Sequence, residues 1–294
     1  MRYLKICLCL LLFYPTSFSA DEKSEVKTLR IDVRMVEVYA SVFDRGGKYL
    51  PGLRLSDFRI VENGAVQSIS SFESSSADLT LALLVDTTGS MLKPLPHVKN
   101  AVADLLGQIN PKDRFGLFAF NNKLQVVVPF TKDRRVALRS LFRLRATGST
   151  ALFDSLAQLA PHLARITGKK AILLFTDGED TSSVLSMEDS VRTIKRVGIP
   201  VYTVSQGLAL DSKLLLERLS EISKATGGVA FTIRNPEEIG EVFSAIVEDL
   251  KHLYLLGYYP PATINSNRQG WRRIQVLVPS HKNSQVRAKE GYLP

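Results

Sequence analysis

Leu79-Thr80-Leu81-Ala82-Leu83-Leu84-Val85-Asp86-Thr87-Thr88-Gly89-Ser90 is the stretch that decides the fold of this 294-residue chain. Six of its first seven residues are apolar, Thr80 being the exception, with little alternation, the pattern of a strand buried on both faces in a parallel sheet. The run stops at Asp86, and the small residues Thr88, Gly89 and Ser90 follow at once. A backbone that turns sharply there lets Asp86, Thr88 and Ser90 aim their oxygens at one point beyond the strand end. A hard cation suits such a point.

Downstream of this stretch, short apolar runs alternate with segments of helical spacing. Strands are expected at Leu79–Val85, Phe115–Phe120, Leu124–Phe130, Ala171–Phe175, Val201–Val204 and Val229–Thr232, the third as an antiparallel edge hairpin turned by Asn121-Asn122. Helices are expected over Val98–Ile109, Asp133–Leu144, Ala151 to about Ile166, Met187–Val197, Ser212–Thr226 and Pro236–Leu250, with Gly227-Gly228 as a C-cap. The series predicts an α/β domain over residues 78–250, a doubly wound, mostly parallel six-stranded sheet covered on both faces.

The flanks read differently. Thr28–Phe43 alternates in period two, Asp44–Lys48 is a turn, and Asn63-Gly64 joins Phe58–Glu62 to Val66–Phe72 as a hairpin. Residues 21–77 therefore form a β-rich segment. Residues 251–294 return to strand text at Tyr254–Tyr259, Ile274–Val278 and Gln285–Ala288. So few strands make a poor sheet alone, so they are expected to pair with the N-terminal ones in a smaller β-sandwich-like module into which the α/β domain is inserted.

Residues 1–20 have the form of an export signal: Arg2 and Lys5 precede the apolar run Ile6–Phe13, which is too short to span a bilayer, and a small-residue stretch follows. Both cysteines, Cys7 and Cys9, lie in that run, leaving the rest of the chain without thiol, disulfide or cysteine metal site. The expected location is secreted or periplasmic, and a disulfide-free exported chain of this size fits a bacterial envelope. The formal charge is +9, and removal of the leader lowers it by two. The densest basic text, Lys132-Asp133-Arg134-Arg135 with Arg139 to Arg145, falls on one helix; a solvated face is the plain reading, an anionic partner or membrane surface the alternative.

Three segments converge at the carboxyl ends of the predicted strands. Asp86, Thr88 and Ser90 follow the first strand, Thr150 stands in Gly148-Ser149-Thr150 at a helix start, and Asp177 follows Ala171–Phe175 in Thr176-Asp177-Gly178. Two carboxylates and three hydroxyls, without histidine or cysteine, form an oxygen-only set that favours magnesium, with manganese or calcium as alternatives. Asp154 is a candidate to orient the site from behind or, equally, a solvated helix residue, whereas Glu179 and Asp180 are expected to cover the loop.

These three motifs resemble the metal-ion-dependent adhesion site of von Willebrand factor type A domains, whose first motif runs Asp-x-Ser-x-Ser; Thr88 stands where serine is usual and keeps the hydroxyl. The resemblance covers about residues 78–250, and the flanks, with Tyr254-Leu255-Leu256-Gly257-Tyr258 and Gly291-Tyr292, resemble secreted bacterial proteins that carry such a domain in a β-rich frame. It implies a Rossmann-like fold and a metal held by Asp86, Thr88, Ser90, Thr150 and Asp177. It further implies a non-enzymatic protein-binding or adhesion function in which a partner's Asp or Glu completes the metal's shell. It also implies that the last helix could couple to metal occupancy.

Two other readings stay open beside it. A metal-dependent phosphohydrolase would want a second acid two residues after Asp86, where Thr88 stands; the third reading is a structural envelope protein with a vestigial site. No Gly-x-Ser-x-Gly elbow or phosphate-binding loop occurs, and His97, His162, His252 and His281 show no paired metal spacing. Trp271 with Arg272 and Arg273 reads as a sheet-face aromatic with solvated arginines rather than a nucleic-acid platform, and no membrane span is expected.

Overall fold

The computed structural model describes residues 35–206, 212–235, 238–261 and 270–293. The expected export signal, and the part of the first alternating segment before Met35, lie outside them. At the centre is β5 (Leu79–Asp86), all eight residues of which are buried. Parallel partners flank it, β6 (Arg114–Phe120) on one side and β8 (Lys169–Thr176) on the other. The strand β9 (Val201–Ser205) continues parallel beyond β8, β10 (Ala230–Thr232) lies outside that, and β7 (Leu124–Thr131) closes the other edge antiparallel to β6. The order is β10-β9-β8-β5-β6-β7.

Period-two alternation sorts the strand side chains onto two helical layers. Leu81, Leu83, Phe115, Leu117, Ala171 and Leu173 pack under α1 (Leu95–Gln108), α2 (Arg134–Arg143) and α6 (Ile239–Lys251). Ala82, Leu84, Phe118, Ile172 and Leu174 face α3 (Leu152–Ala164), α4 (Met187–Val197) and α5 (Lys213–Thr226). Local chemistry sets the helix ends. Asp133 caps α2 by accepting from the amides of Arg135 and Val136, Ser186 and Ser212 cap α4 and α5, and Gly198 and Gly227 end those two helices at φ 72° and 84°. Gly228 serves a second purpose, since a Cβ there would stand 2.2 Å from the Val201 carbonyl oxygen.

Both ends of the chain build the second module. One sheet holds β13 (Gln285–Ala288), β1 (Val36–Phe43), β11 (Tyr254–Tyr258) and β4 (Ile69–Glu73). The other holds β14 (Gly291–Tyr292), β12 (Arg272–Leu277), β2 (Arg59–Glu62) and β3 (Ala65–Gln67). Val38, Ala40, Tyr254 and Leu256 of the first share one core with Ile60, Ile274, Val276 and Tyr292 of the second. The expected pairing of tail with N-terminal strands is thus present, in β1 with β11 and β13 and in β2 with β12. The Asn63-Gly64 turn has φ 48° and 84°, as a two-residue hairpin requires. One expectation is corrected: Val66–Phe72 is not a single strand. It breaks at Ser68, sending β3 to pair with β2 and β4 to pair with β11 in the opposite sheet.

The outer face of β1 docks on the α/β domain through buried polar groups. Lys170, its side chain 1% exposed, donates to Glu37 at 3.0 Å. Asp249, near the end of α6, is buried and accepts from the hydroxyls of Ser41 at 3.0 Å, Tyr49 at 2.9 Å and Tyr202 at 2.6 Å, and from the Arg287 guanidinium. Burial, with Asp249 adjacent, lifts the Tyr202 phenol well above its ordinary value, so it stays a donor. Removing one partner of such a buried charge pair costs about 3–5 kcal/mol. Asp249→Ala is therefore expected to shift the urea midpoint strongly downward, and a variant unfolding like wild type would show that the two modules do not depend on this contact.

Candidate metal centre

Chain connections leave β5 and β8 in opposite directions, β5 toward β6 and β8 toward β9, so the switch point of the sheet lies between these two neighbours. Asp86 ends β5, and Asp177 directly follows β8. In-register pairing of Val85 with Phe175 brings Thr176 beside Asp86. The Thr176 hydroxyl donates to Asp86 Oδ2 at 2.8 Å, and the Thr88 amide donates to Asp86 Oδ1 at 2.9 Å. Both oxygens of this fully buried carboxylate are thereby fixed.

From Asp86 a chain of side-chain oxygens runs across the switch point. The Thr88 and Ser90 hydroxyls lie 3.0 Å apart, and the Ser90 hydroxyl donates to Asp177 Oδ1 at 2.7 Å. Thr88 stands at the N-cap of the short 3-10 turn Gly89–Leu92 yet makes no capping bond with its side chain, which leaves that oxygen for the site. Gly89 and Gly178 let these loops close together. The Gly89 amide donates to the Gly148 carbonyl at 3.0 Å, and a Cβ on Gly178 would sit 3.4 Å from Ser90 Oγ.

Thr150 is buried at the same edge, held through its backbone. Its amide donates to the Thr181 hydroxyl at 3.0 Å, and its carbonyl accepts from the amides of Thr181 and Ser182 at 2.8 and 2.9 Å. Asp86, Thr88, Ser90 and Asp177 thus form one hydrogen-bonded cluster, while the Thr150 hydroxyl makes no hydrogen bond with them. Asp154 holds the loop from behind, accepting from the amides of Val184 at 3.0 Å and Leu185 at 2.9 Å. Asp180 accepts from the amides of Phe153 and Ser183 and covers the loop, and Glu179 meets Ser212 at its rim. Thr176 went unmarked in the sequence, although its place at the end of an apolar run next to Asp177 repeats the pattern of Asp86.

Burial raises the Asp86 carboxyl to about 6, against the opposing pull of its hydrogen bonds from Thr88 and Thr176, and Asp177 adds to the rise. Burial raises Asp177 as well, with Ser90 pulling the other way. Two desolvated carboxylates beside three hydroxyls form a set of hard oxygen donors. It fits a cation such as magnesium, which offsets the carboxylates' charge and leaves coordination positions for water. Among the described residues no group of three or more His, Cys, Asp or Glu side chains gathers to hold a metal ion, so a cation here would rely on two carboxylates and on hydroxyls.

An open, doubly wound sheet with oxygen donors gathered at its switch point defines a class of ligand-binding α/β domains. The family model of the von Willebrand factor type A domain matches residues 80–245, and the chain belongs to that family. A UPF0353 protein of Mycolicibacterium vanbaalenii is 28% identical over 228 residues, 67% of this chain and 65% of that protein, so the chain spans about two thirds of that relative's length. Human integrin alpha-D is 25% identical over 159 residues, half of this chain and 14% of the integrin. Among solved structures, a von Willebrand factor type A protein from Catenulispora acidiphila superposes with a TM-score of 0.55 at 15% identity, over 87% of this chain and 72% of that one. The vWF domain of the type V pili tip protein Mfa5 from Porphyromonas gingivalis gives 0.50 at 12% identity, over 59% of this chain and 95% of its own. Both likenesses are of fold.

The carboxyl shift carries a pH dependence. Raised above its unfolded value of about 4, Asp86 contributes stability that is fully present below about pH 4 and is lost as the pH rises through about 6. A cation held by the ionised pair would reverse that trend. Added magnesium is expected to raise Tm above about pH 6 and to leave it unchanged below about pH 5. A magnesium increment independent of pH would place the ion elsewhere.

Proposed function

We propose that this chain is an exported, divalent-cation-dependent protein-binding or adhesion module and not an enzyme. The observation that carries the reading is the continuous set of oxygens from Asp86 through Thr88 and Ser90 to Asp177, with Thr150 at the same edge, on a von Willebrand factor type A domain. Domains of this family mediate protein interactions. Magnesium, with manganese or calcium as alternatives, would be held by Asp86, Thr88, Ser90, Thr150 and Asp177, and would supply an electrophilic centre able to accept an acidic side chain from a partner protein. Residues 1–20 would direct export and be removed, so that the module works in the periplasm or outside the cell.

Support for binding rather than hydrolysis comes from Thr88. A phosphohydrolase of the type weighed above would place an acid there, whereas this hydroxyl lies 3.0 Å from Ser90 Oγ and belongs to the donor set. Around the site, Leu92 and Val184 are 72% and 92% exposed on loops that leave the same strand ends, which gives a partner apolar surface beside the carboxylate contact.

Calorimetric titration tests the reading. Magnesium is expected to bind wild type and to give no heat with Asp86→Ala or Asp177→Ala. Thr176→Val, which removes only the hydroxyl donor to Asp86, is expected to weaken affinity by about 10–100-fold. Equal heats in all four proteins, or turnover of generic phosphate esters that Asp86→Asn abolishes, would overturn the proposal.

A further inference from the structure

The outward face of α2 has no role in the core or in the metal site, and its chemistry is unusual. Residues 132–145 carry six basic side chains and one acidic one. Ala137 and Leu141 are buried, which turns the opposite side of the helix to solvent. At about 100° per residue, Phe142, Arg135, Arg139, Arg143 and Val136 follow one another around that exposed side. All five are exposed, Phe142 by 49% and Val136 by 36%. Three guanidinium groups therefore stand in a row between two exposed apolar side chains.

The fold leaves most of this charge uncompensated among the described residues. Asp133, the one acid in the segment, lies 4.0 Å from Arg135 and is already occupied by the amides it caps. Arg139 and Arg143 pair with no carboxylate among the described residues. The negative pole of the helix is met from within: Lys99 donates to the carbonyls of Phe142 at 3.2 Å and Leu144 at 2.8 Å, and Arg145 donates to the Leu144 carbonyl at 3.2 Å. Arg134 turns away to the Ile109 carbonyl at 2.6 Å. Among the described residues the remaining row thus has one carboxylate, Asp133, for three guanidinium groups.

From this face we infer a second binding surface, one that lays α2 against an anionic phospholipid bilayer. The arginine row meets lipid phosphates, bidentate where two oxygens are offered, while Phe142 and Val136 enter the boundary between headgroups and acyl chains. A convex helix face with an aromatic flank suits a planar layer of phosphates and mobile chains, whereas an acidic protein would have to supply a groove of matching shape. Among the described residues no helix is long and apolar enough to cross a membrane. The last turn of α2 leads into the segment holding Thr147 and Gly148, whose backbone bonds Thr87 and Gly89 of the metal loop. A docked protein would thus keep its metal edge beside the membrane, open to a partner. The inference does not rest on metal binding and survives its failure.

Flotation with vesicles of phosphatidylcholine alone, or of phosphatidylcholine with phosphatidylglycerol, tests it on the purified chain without magnesium. Binding is expected only to the anionic vesicles and to weaken with added salt. Each arginine removed is expected to lower the partition about fivefold, and R135A/R139A/R143A about a hundredfold. Phe142→Ser is expected to lower it about fivefold at unchanged charge. Matching thermal melts confirm that these surface variants fold. Binding that ignores the triple substitution, equal binding to neutral vesicles, or retention on immobilised polyglutamate without vesicle binding would overturn the proposal, the last assigning the face to an acidic protein.

Discussion

The buried carboxylate of Asp249 makes this architecture one body rather than two modules on a tether. Its four donors come from β1, from the segment just after β1, from β9 and from β13. The acid thus joins the last helix of the α/β domain to β9 of the parallel sheet and to the sandwich. A lone carboxylate in that place would be intolerable, because desolvation of an ion far exceeds the gain from any single neutral hydrogen bond. Four donors, one of them charged, make the burial permissible and also specific, since no slipped register of β1 or β13 would satisfy the same oxygens. Lys170 with Glu37 repeats the device at the start of β8. An interface fixed by two charged contacts has a defined geometry that an apolar one of the same size could lack.

That device explains what the sequence could and could not disclose. Apolar runs and helical spacing placed every element of the parallel sheet, because a strand buried on both faces must be apolar throughout and a helix over it must repeat near 3.6 residues. Val66–Phe72 misled for the converse reason. No turn residue interrupts it after Asn63-Gly64, but residue pattern says nothing about which sheet a residue joins, and the switch at Ser68 is imposed by pairing with Ile60 and Val61 on one side and Leu255 and Leu256 on the other. Asp249 was invisible for a related reason. A charged residue near a helix end reads as solvated until the chain's two termini are brought round it.

At the metal edge the division is similar. Asp86, Thr88, Ser90 and Asp177 were legible because residue type and chain position alone put oxygens at strand ends on either side of a switch point. Of the groups that hold those oxygens still, Asp154 and Asp180 were legible and the others were not. Thr176 and the Thr88 amide fix the two oxygens of Asp86, while Asp154, Asp180 and the Thr181 hydroxyl brace the surrounding loops. Most of these act through backbone amides, which carry no residue-type signature. The hydroxyl of Thr150 joins no side chain of the cluster, so a motif can place a residue at the right edge without disclosing its bonding.

The same physics sets the character of the site. Hydrogen bonds from Thr88 and Thr176 pull the Asp86 carboxyl down, yet burial outweighs them and leaves it raised to about 6. The fold therefore spends stability to keep two carboxylates dry and close, and it braces the loops with backbone bonds so that they do not relax apart. Loops that splayed would relieve the carboxylates and lose the arrangement. Strain of this kind, opposed by a rigid surround, would suit the proposed function as a preformed receptor for positive charge: the free energy released by a cation's arrival would not have to be used to gather the ligands.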